Sequence, residues 1–157
     1  MRTLMLAGMA LIGVLVVGPL VAREAAAADV KTIAIMPLDP VPGNTVPAAI
    51  SGGVHTAVAG VLAQDPEFKV ASDNLTGKYF GKDFTAASAA KDLGVRFIFM
   101  GSIDGDEPTA HVTAVLVDTS NGTQLFKGSF FSDPMNVDSF HVEIASSIKL
   151  AFLKAGL

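Results

Sequence analysis

Ala90-Lys91-Asp92-Leu93-Gly94-Val95-Arg96-Phe97-Ile98-Phe99-Met100-Gly101-Ser102 is the stretch whose reading decides the fold. Thr85 supplies an N-cap for an Ala-rich helix that runs to Leu93. Gly94 stops it at the position after the C-cap, where a left-handed residue is wanted. Val95 to Met100 then alternates apolar residues onto both sides of the chain. A strand apolar on both faces belongs inside a sheet covered on both sides. A helix stopping one residue before such a strand is the junction of an α/β domain.

Upstream, Lys31 to Met36 repeats the doubly apolar pattern, with Ile33 and Ile35 opposed to Ala34 and Met36. Pro37, Pro40, Pro42 and Gly43 predict a rigid loop, with Asn44 or Thr45 as the next helix cap and Pro47 in its first turn. From Val46, the series Ala49, Ile50, Gly53, Val54, Ala57, Val58, Val61 and Leu62 predicts a helix with one buried stripe. Gly52 and Gly53 are costly inside a helix, so close packing on the sheet is expected to offset one of them. Asp65 and Pro66 end it. Glu67 to Ser72 reads as a strand, and Asp73 to Phe84 as a loop with room for a helical turn.

Downstream, Ser102 to Pro108 is acidic and turn-rich. Ala110 to Asp118 and Thr123 to Phe131 flank Ser120-Asn121-Gly122, a strong hairpin signal. A last helix after Asp133 and Pro134 carries Phe140, Ile144, Ile148, Phe152 and Ala155 on one side. The expected order is β-α-β-α-β-β-β-α, a single small α/β domain with a mixed sheet and helices packed on it.

The first 28 residues have a different character. Met1 and Arg2 precede an apolar run from Leu4 to Ala22, followed by Ala25 to Ala28. This is the order of a secretory signal, with cleavage expected after Ala28. The run of 19 residues exceeds the usual h-region of about 7 to 15 and nears the ~20 needed to span a bilayer. An uncleaved anchor facing the periplasm is the alternative. Gly13, Gly18 and Pro19 interrupt the run and favour cleavage.

Residues 29 to 157 hold 9 Lys and Arg against 14 Asp and Glu, a net charge of 9 − 14 = −5. That sign argues against nucleic acid and anionic membrane surfaces as partners. The chain has no cysteine, which excludes a thiol nucleophile and a lipoprotein-type attachment.

These segments resemble the amino-terminal α/β domain of the periplasmic translocation protein TolB and related envelope proteins. The resemblance rests on Ile33 to Leu38, Phe68-Lys69-Val70, the junction Ala90 to Ser102, and Val112 to Asp118 with Gly122 and Leu125-Phe126. Similar domains occur in curli secretion and flagellar outer-membrane-associated proteins. The resemblance implies an interaction domain in the envelope, and it brings no catalytic residues. The β-propeller of TolB has no counterpart in these 157 residues.

Polar residues offer little chemistry. Ser51 and His55 share a helical face, but no G-x-S-x-G elbow holds the serine; His55 is expected at the surface or the boundary of the core. His111 and His141 are scattered, short of the three or four convergent ligands of a zinc site. Asp104, Asp106 and Glu107 surround Gly105 without the spacing of a calcium loop and predict a solvated hairpin loop. Gly77 to Lys82 lacks the order of a phosphate loop, and Asn74 and Asn121 begin sequons read as chance matches. No cofactor and no metal are called for.

The expected function is a non-catalytic periplasmic interaction domain that binds another envelope protein, accessory to an envelope transport or assembly system. Partners engage the loops beyond the carboxyl ends of strands. That singles out Asp39, Pro40, Pro42 and Asn44 on one loop and Asp104, Asp106 and Glu107 on the other. The alternative is a small-ligand sensor using a crevice near Pro37 to Asn44; a hydrolytic enzyme comes third.

Overall fold

The computed structural model describes residues 29–43, 48–105, 109–132 and 137–157. The signal segment, Asn44, Asp106 and Glu107 lie outside them. Six strands form one sheet: β1 (Lys31–Ile35), β2 (Asp39–Pro40), β3 (Phe68–Val70), β4 (Phe97–Asp104), β5 (His111–Asp118) and β6 (Thr123–Phe131). Among the described residues four α-helices accompany them: α1 (Ala48–Ala63), α2 (Asp73–Thr76), α3 (Ala86–Leu93) and α4 (Val137–Ala155). The strand order is β3-β1-β4-β5-β6, with β2 also beside β4. β1 pairs in parallel with β3 and β4, whereas β4-β5 and β5-β6 are antiparallel. The expected single α/β domain with a mixed sheet is the observed one.

The two central strands are buried on both faces, as their composition requires. Ile33, Ile35, Phe97 and Phe99 meet α1 and α4 through Val58, Leu62, Ile144, Ile148 and Phe152. Phe152 stands edge-on to Phe97 at 4.6 Å between ring centroids and contacts Phe68 at 5.3 Å. On the reverse face, Ala34, Met36 and Ile98 pack under Ala89 and Ala90 of α3. Thr85 caps α3 through a reciprocal bond pair with Ser88, and Gly94 closes it at φ +65°. Small alanines let this short helix lie close to the sheet.

Several local expectations change. Asp39 and Pro40, expected in a loop, form β2 opposite Ser102 and Ile103. Ser102 and Asp104 consequently belong to β4, which runs four residues past Met100, and not to an acidic loop. Asp104 is paired with His111 across the β4-β5 ladder, so each strand holds the other extended. β3 shrinks to three residues. The segment expected as a loop begins with α2 and continues into a 3-10 turn, Gly77–Tyr79. Tyr79 donates to Asp92 of α3 at 2.6 Å, and Lys78 also reaches that carboxylate.

Gly52 and Gly53 do not approach the sheet; a Cβ on either would meet nothing within 4 Å. Gly101 is the opposite case: its Cβ would lie 2.2 Å from the Thr113 carbonyl oxygen and 2.8 Å from the Ala114 Cα. β5 can cross β4 this closely only over a bare Cα. Gly53→Ala is expected to raise stability by about 0.5–1 kcal/mol. Gly101→Ala is expected to lower it by about 1–3 kcal/mol through strand displacement. Urea midpoints of the two variants check both.

Candidate functional site

β1 ends at Ile35, two residues before Pro37, which has no N–H to carry a ladder further. Four positions separate Ile35 from Asp39, while three separate their partners Phe99 and Ser102, so one extra residue bulges from the first strand. Met36 donates to the Phe99 carbonyl before the bulge, and Val41 to the Ile103 carbonyl after it, at 2.8 and 3.0 Å. Carbonyls within the bulge need other donors. Ser51 of α1 answers that need at Leu38, and His55 follows one turn later on the same helix.

Both side chains are buried, at 0% and 5% exposure, which corrects the expectation of a surface or boundary histidine. Ser51 Oγ donates to the Leu38 carbonyl. His55 Nε2 lies 2.9 Å from Thr76 Oγ1, and Thr76 is itself buried. Each group thus has its own structural partner, and the serine and histidine do not form a nucleophile and base. Burial lowers the His55 pKa, against smaller upward pulls from the Asp73 carboxylate, 3.8 Å away, and the Ile35 carbonyl. The ring is neutral at pH 7.

The bulge sets the end of the sheet where the sequence pointed. β2 and β4 run side by side, so Asp39, Pro40 and the exposed Pro42 share an edge with Asp104. Asp39 accepts from the Gly81 N–H at 3.1 Å, tying the turn after Tyr79 to β2. Asp104 Oδ1 lies 3.2 Å from His111 Nδ1. The His111 ring stacks on Phe131 at 4.3 Å with planes 7° apart. Phe131, at the end of β6, is 70% exposed. Among the described residues, nothing hydrogen-bonds the buried His111 Nε2. The sequence reading missed Phe131 and His111 as a pair; the available signal was their position opposite each other once the Asn121-Gly122 hairpin fixes the register.

The other end of the sheet is fastened by charge. Arg96 grips Asp118 through two bonds, Nε to Oδ1 at 3.1 Å and Nη2 to Oδ2 at 2.7 Å. Ser120 adds its N–H and hydroxyl at 3.0 and 2.6 Å. Asp118 is 1% exposed, and Arg96, helped by Ser120, holds its pKa down at about 2. Here four donated hydrogen bonds outweigh the cost of burying a carboxylate.

Comparison with known proteins places this architecture. The chain superposes on TolB from Acinetobacter baumannii with a TM-score of 0.57 at 17% identity, over 78% of this chain and 28% of that one. The fold is like that of the TolB amino-terminal domain. E. coli LpoB matches with a TM-score of 0.50 at 12% identity, over 66% of this chain and 56% of LpoB. A PelC dodecamer from Paraburkholderia phytofirmans matches with 0.50 at 15% identity, over 76% of this chain and 88% of PelC. The chain thus spans little more than a quarter of that TolB and about half of LpoB. No protein-family model and no curated sequence matches it.

Two acid-range effects follow. For His55 the folded pKa lies below the unfolded 6.5, so the unfolded chain binds its proton first. Stability is expected to fall as pH drops below 6.5 through the folded value, a slope that His55→Gln removes. For Asp118 the stabilisation is complete above 3.8 and lost as pH falls towards about 2; it amounts to about 2 kcal/mol. Arg96→Met is expected to cost about 2 kcal/mol or more and to move the acid transition to higher pH. Urea unfolding across a pH series separates the two residues.

Proposed function

We propose that the chain is a non-catalytic protein-interaction domain of the bacterial cell envelope, working in the periplasm as an accessory to a transport or assembly system. The observation that carries this reading is the surface at the carboxyl ends of β2, β4 and β6. Phe131 stands out as an aromatic anchor, steadied from below by His111, which Asp104 orients. Aromatic anchors held rigid at low entropy cost are what protein interfaces use for most of their binding energy. At the same end of the sheet Asp39, Pro40, the exposed Pro42 and Asp104 add acidic and conformationally stiff positions, and Asn44, Asp106 and Glu107 follow them in the sequence. A partner with an apolar pocket inside a basic rim fits this surface.

The resemblance to the TolB domain supports the envelope setting, and the shared fold supports the resemblance. Support for a non-catalytic role comes from Ser51 and His55, the pair most like a hydrolytic constellation, which are buried and bonded separately to Leu38 and Thr76. In this reading residues 1 to 28 are a signal removed after Ala28, and residues 29 to 157 are the working domain. The alternative of an uncleaved anchor leaves the same surface tethered.

A photo-crosslinking residue in place of Phe131, irradiated in intact cells, is expected to give a discrete adduct with one envelope protein. The same residue in place of exposed Lys69, on the opposite edge of the sheet, is expected to give none. Absence of an adduct, or identical adducts at both positions, would overturn the assignment. Intact mass of the exported chain is expected to start at Asp29; a mass retaining Met1 to Ala28 replaces the free domain by the tethered one.

A further inference from the structure

His55 of α1 and Thr76 of α2 meet in the interior through one hydroxyl. Thr76 Oγ1 has three acceptors in reach: His55 Nε2 at 2.9 Å, and the carbonyls of Asp73 and Ser72, one turn back in its own helix, at 3.4 and 3.5 Å. A hydroxyl donates one hydrogen and can accept as well, so this contact can run in either direction. The Ile35 carbonyl favours a hydrogen on the imidazole. With Nε2 turned to Thr76, the nitrogen left for Ile35 is Nδ1. Neutral His55 thus carries its hydrogen on Nδ1 and accepts at Nε2 from the Thr76 hydroxyl, for which Nε2 is the nearest of the three acceptors.

A proton taken up by this ring in acid enters at Nε2. Facing a group that can only donate, the new N–H would be buried and unanswered, and the contact would be lost. Thr76 is not such a group. Its oxygen can accept from Nε2–H while its own hydrogen turns to the Asp73 or Ser72 carbonyl. The Asp73 carboxylate lies 3.8 Å from Nε2 on a side chain that is 43% exposed, close enough to complete the pair. Asp73 is the charged side chain acting on the ring; β1 brings the neutral Ile35 carbonyl, and α1 brings Ser51, which is bonded to Leu38. We infer that protonating His55 reverses its bond to Thr76 instead of breaking it, with Asp73 drawn onto the ring, so that α2 stays fastened to α1 in acid. One proton is added to the ring, and the hydroxyl hydrogen only changes acceptor. Burial still opposes the protonation; the reversal decides what happens to α2 once the proton arrives. The chain beyond α2 leads to Tyr79, bonded to Asp92, and to Gly81, bonded to Asp39, so the joint lies behind the end of the sheet that carries Asp39.

Nitrogen NMR of the purified chain is expected to show His55 as the Nδ1–H tautomer at neutral pH. The amides of Thr76 and Gly77, which donate to the Ser72 and Asp73 carbonyls, are expected to keep the same hydrogen-exchange protection factor on both sides of the His55 titration. Thr76→Val fills the same space without the hydroxyl, and Asp73→Asn removes the charge from a partly exposed side chain. Each is expected to move the His55 midpoint to lower pH, because the charged ring loses more than the neutral one. Thr76→Val is also expected to lose the protection of the α2 amides below that midpoint. Circular dichroism checks that both variants keep their helix and sheet content; if Thr76→Val does not, the wild-type chain and Asp73→Asn still decide. An Nε2–H tautomer at neutral pH overturns the inference. So does a wild-type α2 that loses its protection as His55 titrates, or a midpoint that Asp73→Asn leaves in place. Because the measurement uses the isolated protein, its outcome is independent of any envelope partner.

Discussion

The one extra residue between β1 and β2, beside Pro37, is the constraint on which this end of the sheet depends. It changes which backbone groups face β4, Met36 donating to Phe99 before it and Val41 to Ile103 after it. Burial then makes every carbonyl in the bulge expensive unless it is answered. The α1 helix answers with Ser51 at Leu38, and one turn on His55 reaches Thr76 of α2. Two side chains of one helix thereby tie the β1-β2 connection and α2 together. Because the ladder resumes at β2, Asp39 arrives where it can take the Gly81 N–H, and the loop beyond Pro40 is delivered beside the end of β4.

The two ends of the sheet handle charge differently. At one, Asp118 is almost fully enclosed and saturated by Arg96 and Ser120. Such a carboxylate, 1% exposed, is out of a partner's reach, and its role is to lock β4, β5 and the hairpin. At the other, Asp104 spends one oxygen on His111 and remains partly exposed. An acidic group that orients an aromatic stack and still faces solvent keeps its field available outside the fold. The locked end stabilises; the open end keeps a partly exposed carboxylate.

Much of this was legible in the residues. The helix-strand junction at Leu93-Gly94-Val95 carries its own cap chemistry, and doubly apolar strands can sit only in a covered sheet. The turn at Asn121-Gly122 sets the β5-β6 register. What could not be read was decided by contacts distant in sequence. β2 contains Asp39 and Pro40, poor strand formers, and exists because Ser102 and Ile103 lie alongside. Asp104 looked like loop because it is acidic, yet it is strand because His111 stands opposite. His55 reads as surface or boundary because apolar periodicity counts only apolar residues, whereas the partners of Ser51 and His55 are Leu38 and Thr76, 13 and 21 residues away. Gly53 was placed in the stripe and is exposed, since a glycine has no side chain to declare a side.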